Sequence, residues 1–228
     1  MSSGKISNRI SGSSNNLTRD NGNTMTQMIK SFNDAVSFHG HSCPGLALGY
    51  RAAQYAMDAL RAGRCDDEEL VCIVENDACG IDAIQVVTGC SAGKGNLIFR
   101  DLGKHAYTFI DRRCNRAIRI VQRPEPLIER IDPRASALRP KVMSGTATRE
   151  EIAEFQTRQA SVIEKILAMP VEDLFLIKET APGMPEKARI FRSVQCAECG
   201  EMVAEHRARV KDGKFVCIPC AGEYTRGW

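Results

Sequence analysis

The chain is organised around Phe38-His-Gly-His-Ser-Cys-Pro-Gly45. Histidine and cysteine alternate there at His39, His41 and Cys43, and alternate side chains of an extended backbone point to one side. Two imidazoles and a thiolate suit zinc or another borderline transition metal. The segment therefore predicts a metal site. The plainer alternative is a loop that enters a helix and carries histidines without binding a metal.

An apolar pattern of helical period starts at Pro44 and predicts a helix to about Ala62, with Gly63 as its C-terminal cap. Proline favours the first helical position, so Cys43 is predicted to be the N-cap. The positive end of the helix dipole would then favour the Cys43 thiolate. Small residues along this helix also predict close packing against a sheet or a second helix.

A second cysteine follows a predicted buried strand at Leu70–Val74. Cys79 comes at the junction between this strand and a helix predicted from about Ile81 to Thr88, and connections at strand ends often carry binding groups. Cys43 and Cys79, with His41 and also His39 as a candidate, are therefore predicted to form an open metal site in a cleft. A catalytic role is an open question.

Weaker candidates surround this predicted cleft. Asp82 could orient a ligand or act as an acid or base, although a carboxylate on a helix is more often a solvated surface group. Lys94, between two glycines, could hold an anion, and a plain turn is an equal alternative. Cys90 could add a third thiol. The other cysteines of this half, Cys65, Cys72 and Cys114, are interpreted as structural.

The remaining pattern predicts an α+β domain with a mixed sheet. Met25–Val36 is predicted to be a short helix, and 97–100 with 106–110 a hairpin. Residues 124–145 are predicted to be irregular because they are rich in proline. Three further elements are a strand at 117–121, a helix that starts with a capping box at Thr148 and Glu151, and a last strand at 174–178.

Composition limits the class of protein. The 228 residues are 43% hydrophobic and 26% charged, which is ordinary for a globular protein. The net charge of +3 does not argue for nucleic acid or an acidic membrane, and no apolar run spans a bilayer. Ten cysteines without a secretory signal suggest reduced thiols and metal sites, so a cytoplasmic location is expected. Residues 1–24 are predicted to be a disordered tail, with Met25 as a possible true start.

Two CxxC pairs occur near the C-terminus. Cys196 and Cys199 are separated by seventeen residues from Cys217 and Cys220, a spacing typical of a four-thiolate zinc site. Four protein ligands leave no open position, so structural zinc is predicted, with a redox-active dithiol pair as the alternative. Linker-like residues at 181–187 place the predicted boundary between a main domain, 25–180, and a finger domain, 181–228.

Three segments resemble the FmdE family, named for the E component of formylmethanofuran dehydrogenase. They fall in the expected order within about residues 30–122, and they are Phe38–Ala53, Glu75–Gln85 and Thr88–Asn96, the last followed by Asp101–Lys104 and Tyr107–Phe109. The resemblance implies an α+β domain with a mixed sheet flanked by helices, sometimes described as thioredoxin-like. It also implies a homodimer and a cleft that binds zinc or another divalent transition metal. Some relatives are encoded beside molybdenum formylmethanofuran dehydrogenase, an enzyme of anaerobic one-carbon metabolism.

The C-terminal segment resembles the DksA/TraR zinc finger, which implies a small treble-clef-type module that is chiefly a scaffold. Three functional classes stay open. The chain could be an enzyme that uses cleft zinc, an accessory or metal-delivery subunit of a molybdenum or tungsten enzyme, or a zinc-finger regulator. Residues 181–228 carry eight Lys/Arg and six Asp/Glu, a near-balance that gives weak support to nucleic-acid binding.

Overall fold

The computed structural model describes residues 30–181 and 183–223. The predicted tail at 1–24 and the candidate start Met25 lie outside these residues. The elements of the main α+β region are α1 Phe32–His39, α2 Pro44–Leu60, β1 Leu70–Val74, α3 Gly80–Thr88, β2 Leu97–Phe99, β3 Ala106–Asp111, β4 Arg116–Gln122, α4 Leu127–Ile131, α5 Pro133–Met143, α6 Arg149–Ala168, α7 Val171–Leu174 and β5 Phe175–Thr180. Next come β6 Ser193–Gln195, β7 Met202–Ala204, a 3₁₀ turn at Glu205–Arg207, β8 Arg209–Lys211, β9 Lys214–Val216 and α8 Ile218–Ala221.

A five-stranded mixed sheet forms the centre of the main region. Its order is β2-β1-β3-β4-β5, with β1 and β2 parallel and the other neighbours antiparallel. Helices α2, α3 and α6 cover one face, where alternate strand residues such as Cys72, Phe109 and Ile120 join the main core. Every residue of β1 is buried, as expected for an apolar strand with a neighbour on each side. The α+β class with a mixed sheet flanked by helices is therefore confirmed.

The predicted hairpin between β2 and β3 is wrong. β1 lies between these two strands, because α3 carries the chain from β1 to β2 as a parallel crossover. The following turn then returns to the end of β1, where the backbone N–H groups of Leu102 and Lys104 both donate to the Glu75 carbonyl. Tight turn residues between two apolar runs do not tell whether the runs pair with each other or with a third strand.

Helix limits also differ from the predictions at three places. The segment 124–145 is not irregular, since Asp132 caps α5 through the Ala135 N–H at 2.9 Å and Pro133 occupies its first turn. Helix α2 ends at Arg61, which adopts the left-handed conformation (φ 51°) that was expected near Gly63. Helix α1 starts after Ser31 and extends through His39. The capping box at Thr148 and Glu151 and the N-cap role of Cys43 are both confirmed.

Helices α2 and α3 approach each other through two glycines. A Cβ built on Gly49 would lie 2.1 Å from the Gly80 carbonyl oxygen, and a Cβ on Gly80 would lie 3.1 Å from the Gly49 Cα. Only hydrogen at both positions allows the two backbones to come so close. This contact sets the distance between the N-terminal ends of the two helices.

We expect Gly49→Ala to destabilise the fold by about 3 kcal/mol or more, because the added methyl group meets rigid backbone and no flexible side chain can make room for it. The measurement is urea unfolding followed by circular dichroism. Gly63→Ala is the matched control, since nothing lies within 4 Å of its Cβ, and its effect should stay within about 0.5 kcal/mol. Equal midpoints for the two variants would contradict the glycine contact.

Candidate metal centre

Two cysteines lie at the neighbouring N-terminal ends of α2 and α3. Cys43 is the N-cap of α2 in extended conformation, and its sulfur accepts a hydrogen bond from the Leu46 N–H at 3.3 Å. Cys79 occupies the N-cap position of α3, after the turn that follows β1. A Cβ on Gly45 would lie 3.5 Å from the Cys79 Cβ, so Gly45 also leaves room for the second cysteine.

His39 completes a group of three donors. One ligand atom each from His39, Cys43 and Cys79 lies within 4.8 Å of the others, and the His39 Nε2 is 3.9 Å from the Cys43 Sγ. The predicted alternation in an extended backbone is wrong, because His39 is the last residue of α1. Gly40 then turns the chain in the left-handed region (φ 90°). The donors converge because one helix ends and another begins there.

Asp82 orients the His39 imidazole. Its Oδ2 lies 2.6 Å from the His39 Nδ1, and the Gln85 side-chain amide donates to the other carboxylate oxygen at 3.4 Å. A carboxylate that accepts from Nδ1–H leaves the Nε2 lone pair directed away, here toward the cysteines. This is the usual support for a histidine that ligates a metal. Of the two alternatives for Asp82, the structure places it in contact with a candidate ligand.

His41 lies beside the group of three donors. Its ring stacks on the His39 ring with centroids 4.5 Å apart and planes inclined by 35°. Within residues 30–181 and 183–223, the donor atoms of His41 do not belong to a cluster that could hold a metal. The structure therefore brings together His39, Cys43 and Cys79 of the predicted set, with Asp82 behind them.

Burial decides the electrostatics of Cys43. Loss of solvent raises the pKa of its thiol, and the neighbouring Cys79 raises it further, while the Leu46 N–H acts in the opposite direction. The expectation that the helix end favours the thiolate is thus outweighed. A cation bound between the two sulfurs would supply the missing compensation, and one imidazole with two thiolates is a known donor set for zinc with an open fourth position. The residues present fit such a metal.

Lys94 and Cys90 lie at the other end of α3. The Lys94 ammonium donates to the backbone carbonyls of Cys65 and Asp66, at 3.3 Å each. Cys90 follows the C-terminal cap of α3 and bonds to the Leu70 carbonyl. The structure does not bring these two side chains to the group formed by His39, Cys43 and Cys79.

Two contributions to the site were missed from the sequence. One is the pair Gly49 and Gly80, whose contact positions both cysteines. The other is the assignment of the imidazole beside Cys43 to His39. The spacing of four residues between His39 and Cys43, and of three between Cys79 and Asp82, was the available signal, since such residues share a helical face.

The four C-terminal cysteines also converge. Ligand atoms of Cys196, Cys199, Cys217 and Cys220 lie within 4.8 Å of one another, held by the two hairpins β6–β7 and β8–β9. Gly200 adopts a positive φ of 77° just after the first pair. Backbone N–H groups of Cys199 and Cys217 lower the pKa of the Cys196 thiol to about 6, which favours the thiolate that zinc binds. The cluster suggests structural zinc.

Comparison with known families agrees with this geometry. Residues 38–176 match the family described as "FmdE, Molybdenum formylmethanofuran dehydrogenase operon". The chain belongs to the FmdE family. Residues 189–226 of this FmdE protein match the prokaryotic dksA/traR C4-type zinc finger. In the described part of the chain, no helix is long and apolar enough to cross a membrane.

Two relatives place the chain further. A protein of Archaeoglobus fulgidus, named "Probable S-adenosyl-L-methionine-binding protein", is 34% identical over 210 residues, which are 89% of this chain and 55% of that protein. This chain thus spans about half the length of that relative. The crystal structure of an FmdE-like protein of tungsten formylmethanofuran dehydrogenase type, from Syntrophus aciditrophicus, is 21% identical, with a TM-score of 0.55 over 87% of this chain and 97% of that one. This second similarity supports the fold.

Proposed function

We propose that the chain is a metal-binding FmdE protein whose cleft holds a divalent transition metal, zinc or a similar ion. His39, Cys43 and Cys79 are the proposed ligands, and the finger cysteines hold a structural zinc. The observation that carries the proposal is the convergence of three soft donors from separate elements within 4.8 Å, with Asp82 bonded to the imidazole. Such donor atoms, partly buried together, are costly to keep without a cation between them.

The donor set leaves room for an exogenous ligand. Three protein ligands are typical of zinc sites that bind water or substrate at the fourth position, where the metal polarises a carbonyl or lowers the pKa of bound water. On the protein side, Asp82 holds the imidazole in the tautomer that ligates, and the Leu46 N–H stabilises negative charge on the Cys43 sulfur. These features favour a site that binds a small molecule or passes on its metal.

Two roles fit this site, an enzyme and an accessory or metal-delivery subunit. The family description names a molybdenum formylmethanofuran dehydrogenase operon, and it supports association with a molybdenum or tungsten dehydrogenase of anaerobic one-carbon metabolism. A homodimer in the cytoplasm is part of the same proposal. A zinc-finger regulator is the third role. It has less support, because the finger segment has nearly balanced charge.

The first test is metal analysis of protein purified without oxygen, element by element. We expect Cys43→Ser/Cys79→Ser to lose the cleft metal and keep the finger zinc. Conversely, Cys199→Ser/Cys217→Ser should lose only the finger zinc. His39→Gln should lower cleft affinity as the cysteine changes do, whereas His41→Gln is the matched control and should leave it nearly unchanged. Identical metal content in the wild type and the Cys43/Cys79 variant would contradict the cleft site.

We expect Asp82→Asn to weaken cleft-metal binding by about 10- to 100-fold, because the amide no longer holds the imidazole as a carboxylate does. Competition with a chromophoric zinc chelator measures the affinity. Asp77→Asn is the control, since Asp77 is an exposed carboxylate close by in the sequence. An equal, small effect of both substitutions would show that Asp82 does not support a ligand.

S-adenosylmethionine binding is a second candidate function, favoured by the 34% identity to the Archaeoglobus protein over 89% of this chain. Because that relative is nearly twice as long, the binding it is named for could reside in the part that this chain lacks. We expect isothermal titration of the full chain with S-adenosylmethionine to show saturable heat if the shared part binds it. Absence of heat for both metal-loaded and metal-free protein would exclude this function.

A further inference from the structure

A second pair of cysteines lies at the opposite end of α3 from the cleft. Cys65 precedes β1 and Cys90 follows the end of α3, and both side chains are buried, 3% and 0% exposed. Their backbones are locked together, since the Cys65 N–H donates to the Thr88 carbonyl at 2.9 Å. A Cβ on Gly89 would lie 2.5 Å from the Cys65 carbonyl oxygen, so this close approach requires glycine beside Cys90.

Polar groups surround the Cys65 sulfur in a region that is otherwise apolar. The Asn96 side-chain amide, itself 0% exposed, donates to it at 3.4 Å, and the Lys94 ammonium lies 3.8 Å away. The Cys90 thiol is within hydrogen-bonding distance of the same sulfur. Lys94 is held in place by two backbone carbonyls, so its charge stays beside the sulfur.

These donors favour a thiolate on Cys65. The hydrogen bond from Cys90, the Lys94 charge and the Asn96 amide lower the pKa of Cys65 to about 6, against burial and the Glu69 carboxylate, which raise it. The same hydrogen bond and burial raise the pKa of Cys90, which keeps its proton, and the nearby Cys72 acts in the same direction. One thiolate beside one thiol is the arrangement of a reactive dithiol pair.

Other cysteines nearby lack this arrangement. Cys72 lies on the buried face of β1, where desolvation raises its pKa strongly. Cys114 is exposed in the turn between β3 and β4. By contrast, the Cys65–Cys90 pair is next to an open groove lined by Arg64, Gly89, Cys90, Ser91 and Lys94. A small oxidant can reach the pair through that groove.

We propose that Cys65 and Cys90 are a redox-active dithiol pair that a peroxide converts into an intrachain disulfide. The Cys65 thiolate attacks one peroxide oxygen, which breaks the O–O bond, forms a sulfenic acid and releases hydroxide. The Cys90 sulfur then attacks the Cys65 sulfur, loses its proton, and displaces the sulfenic oxygen, which leaves as water. The two sulfurs together lose two electrons to the peroxide, and a thiol reductant reverses the reaction.

The test is oxidation of the full metal-loaded chain by hydrogen peroxide, followed by alkylation of the remaining thiols and mass spectrometry of peptides. Trypsin leaves four cysteines in one peptide, 65–94, so a protease that cuts before aspartate is required. It separates Cys65, Cys72, Cys79 and Cys90 into the peptides 58–65, 67–76, 77–81 and 82–100. We expect peptides 58–65 and 82–100 to be recovered joined by a disulfide.

Variants separate this pair from general oxidation. Cys90→Ser should leave Cys65 as a sulfenic acid that dimedone traps, whereas Cys114→Ser, the control, should form the disulfide as wild type does. Lys94→Gln should slow disulfide formation several-fold at neutral pH, because the thiolate loses its cation. If Cys90→Ser does not fold, the wild-type peptide map decides. Free Cys65 and Cys90 after oxidation, or a disulfide from Cys65 to Cys72 or Cys79, would overturn the proposal.

Discussion

The close approach of Gly49 on α2 and Gly80 on α3 is the contact on which the rest of the structure depends. With 2.1 Å between a hypothetical Gly49 Cβ and the Gly80 carbonyl oxygen, the two helices can meet only as bare backbone. Their N-terminal ends are therefore held side by side above the sheet. Cys43 and Cys79, which lie at these ends, become neighbours although 35 positions separate them in the sequence.

The same residues serve both the fold and the candidate metal centre. Cys43 caps α2 by accepting from the Leu46 N–H, and His39 ends α1 just before the turn at Gly40. Helix ends leave backbone groups unpaired, so they suit polar side chains that also face a ligand. Asp82 then connects α3 back to His39 through a hydrogen bond of 2.6 Å. The cleft is thus closed by three helices that each contribute a polar side chain.

Helix α3 has chemically different sulfur sites at its two ends. At its N-terminus, burial and the second thiol disfavour negative charge on Cys43 until a cation compensates it. At its C-terminal end, Lys94 and Asn96 already supply positive charge and a hydrogen bond to Cys65. The first environment suits a metal and the second suits a thiolate without one. The distinction depends on neighbouring groups, since the residue type is the same.

Local patterns in the sequence determined much of this protein. The apolar run of β1, the proline after Cys43, the capping box at Thr148 and the two CxxC pairs act over a few residues, so helix starts, the central strand and the finger cysteines were predictable. Only the tertiary structure decided that β1 separates β2 from β3, and that His39 faces Cys43 and Cys79 while His41 stacks beside it. Strand order and donor convergence depend on contacts between residues distant in the chain, above all between two glycines that have no side chain to reveal them.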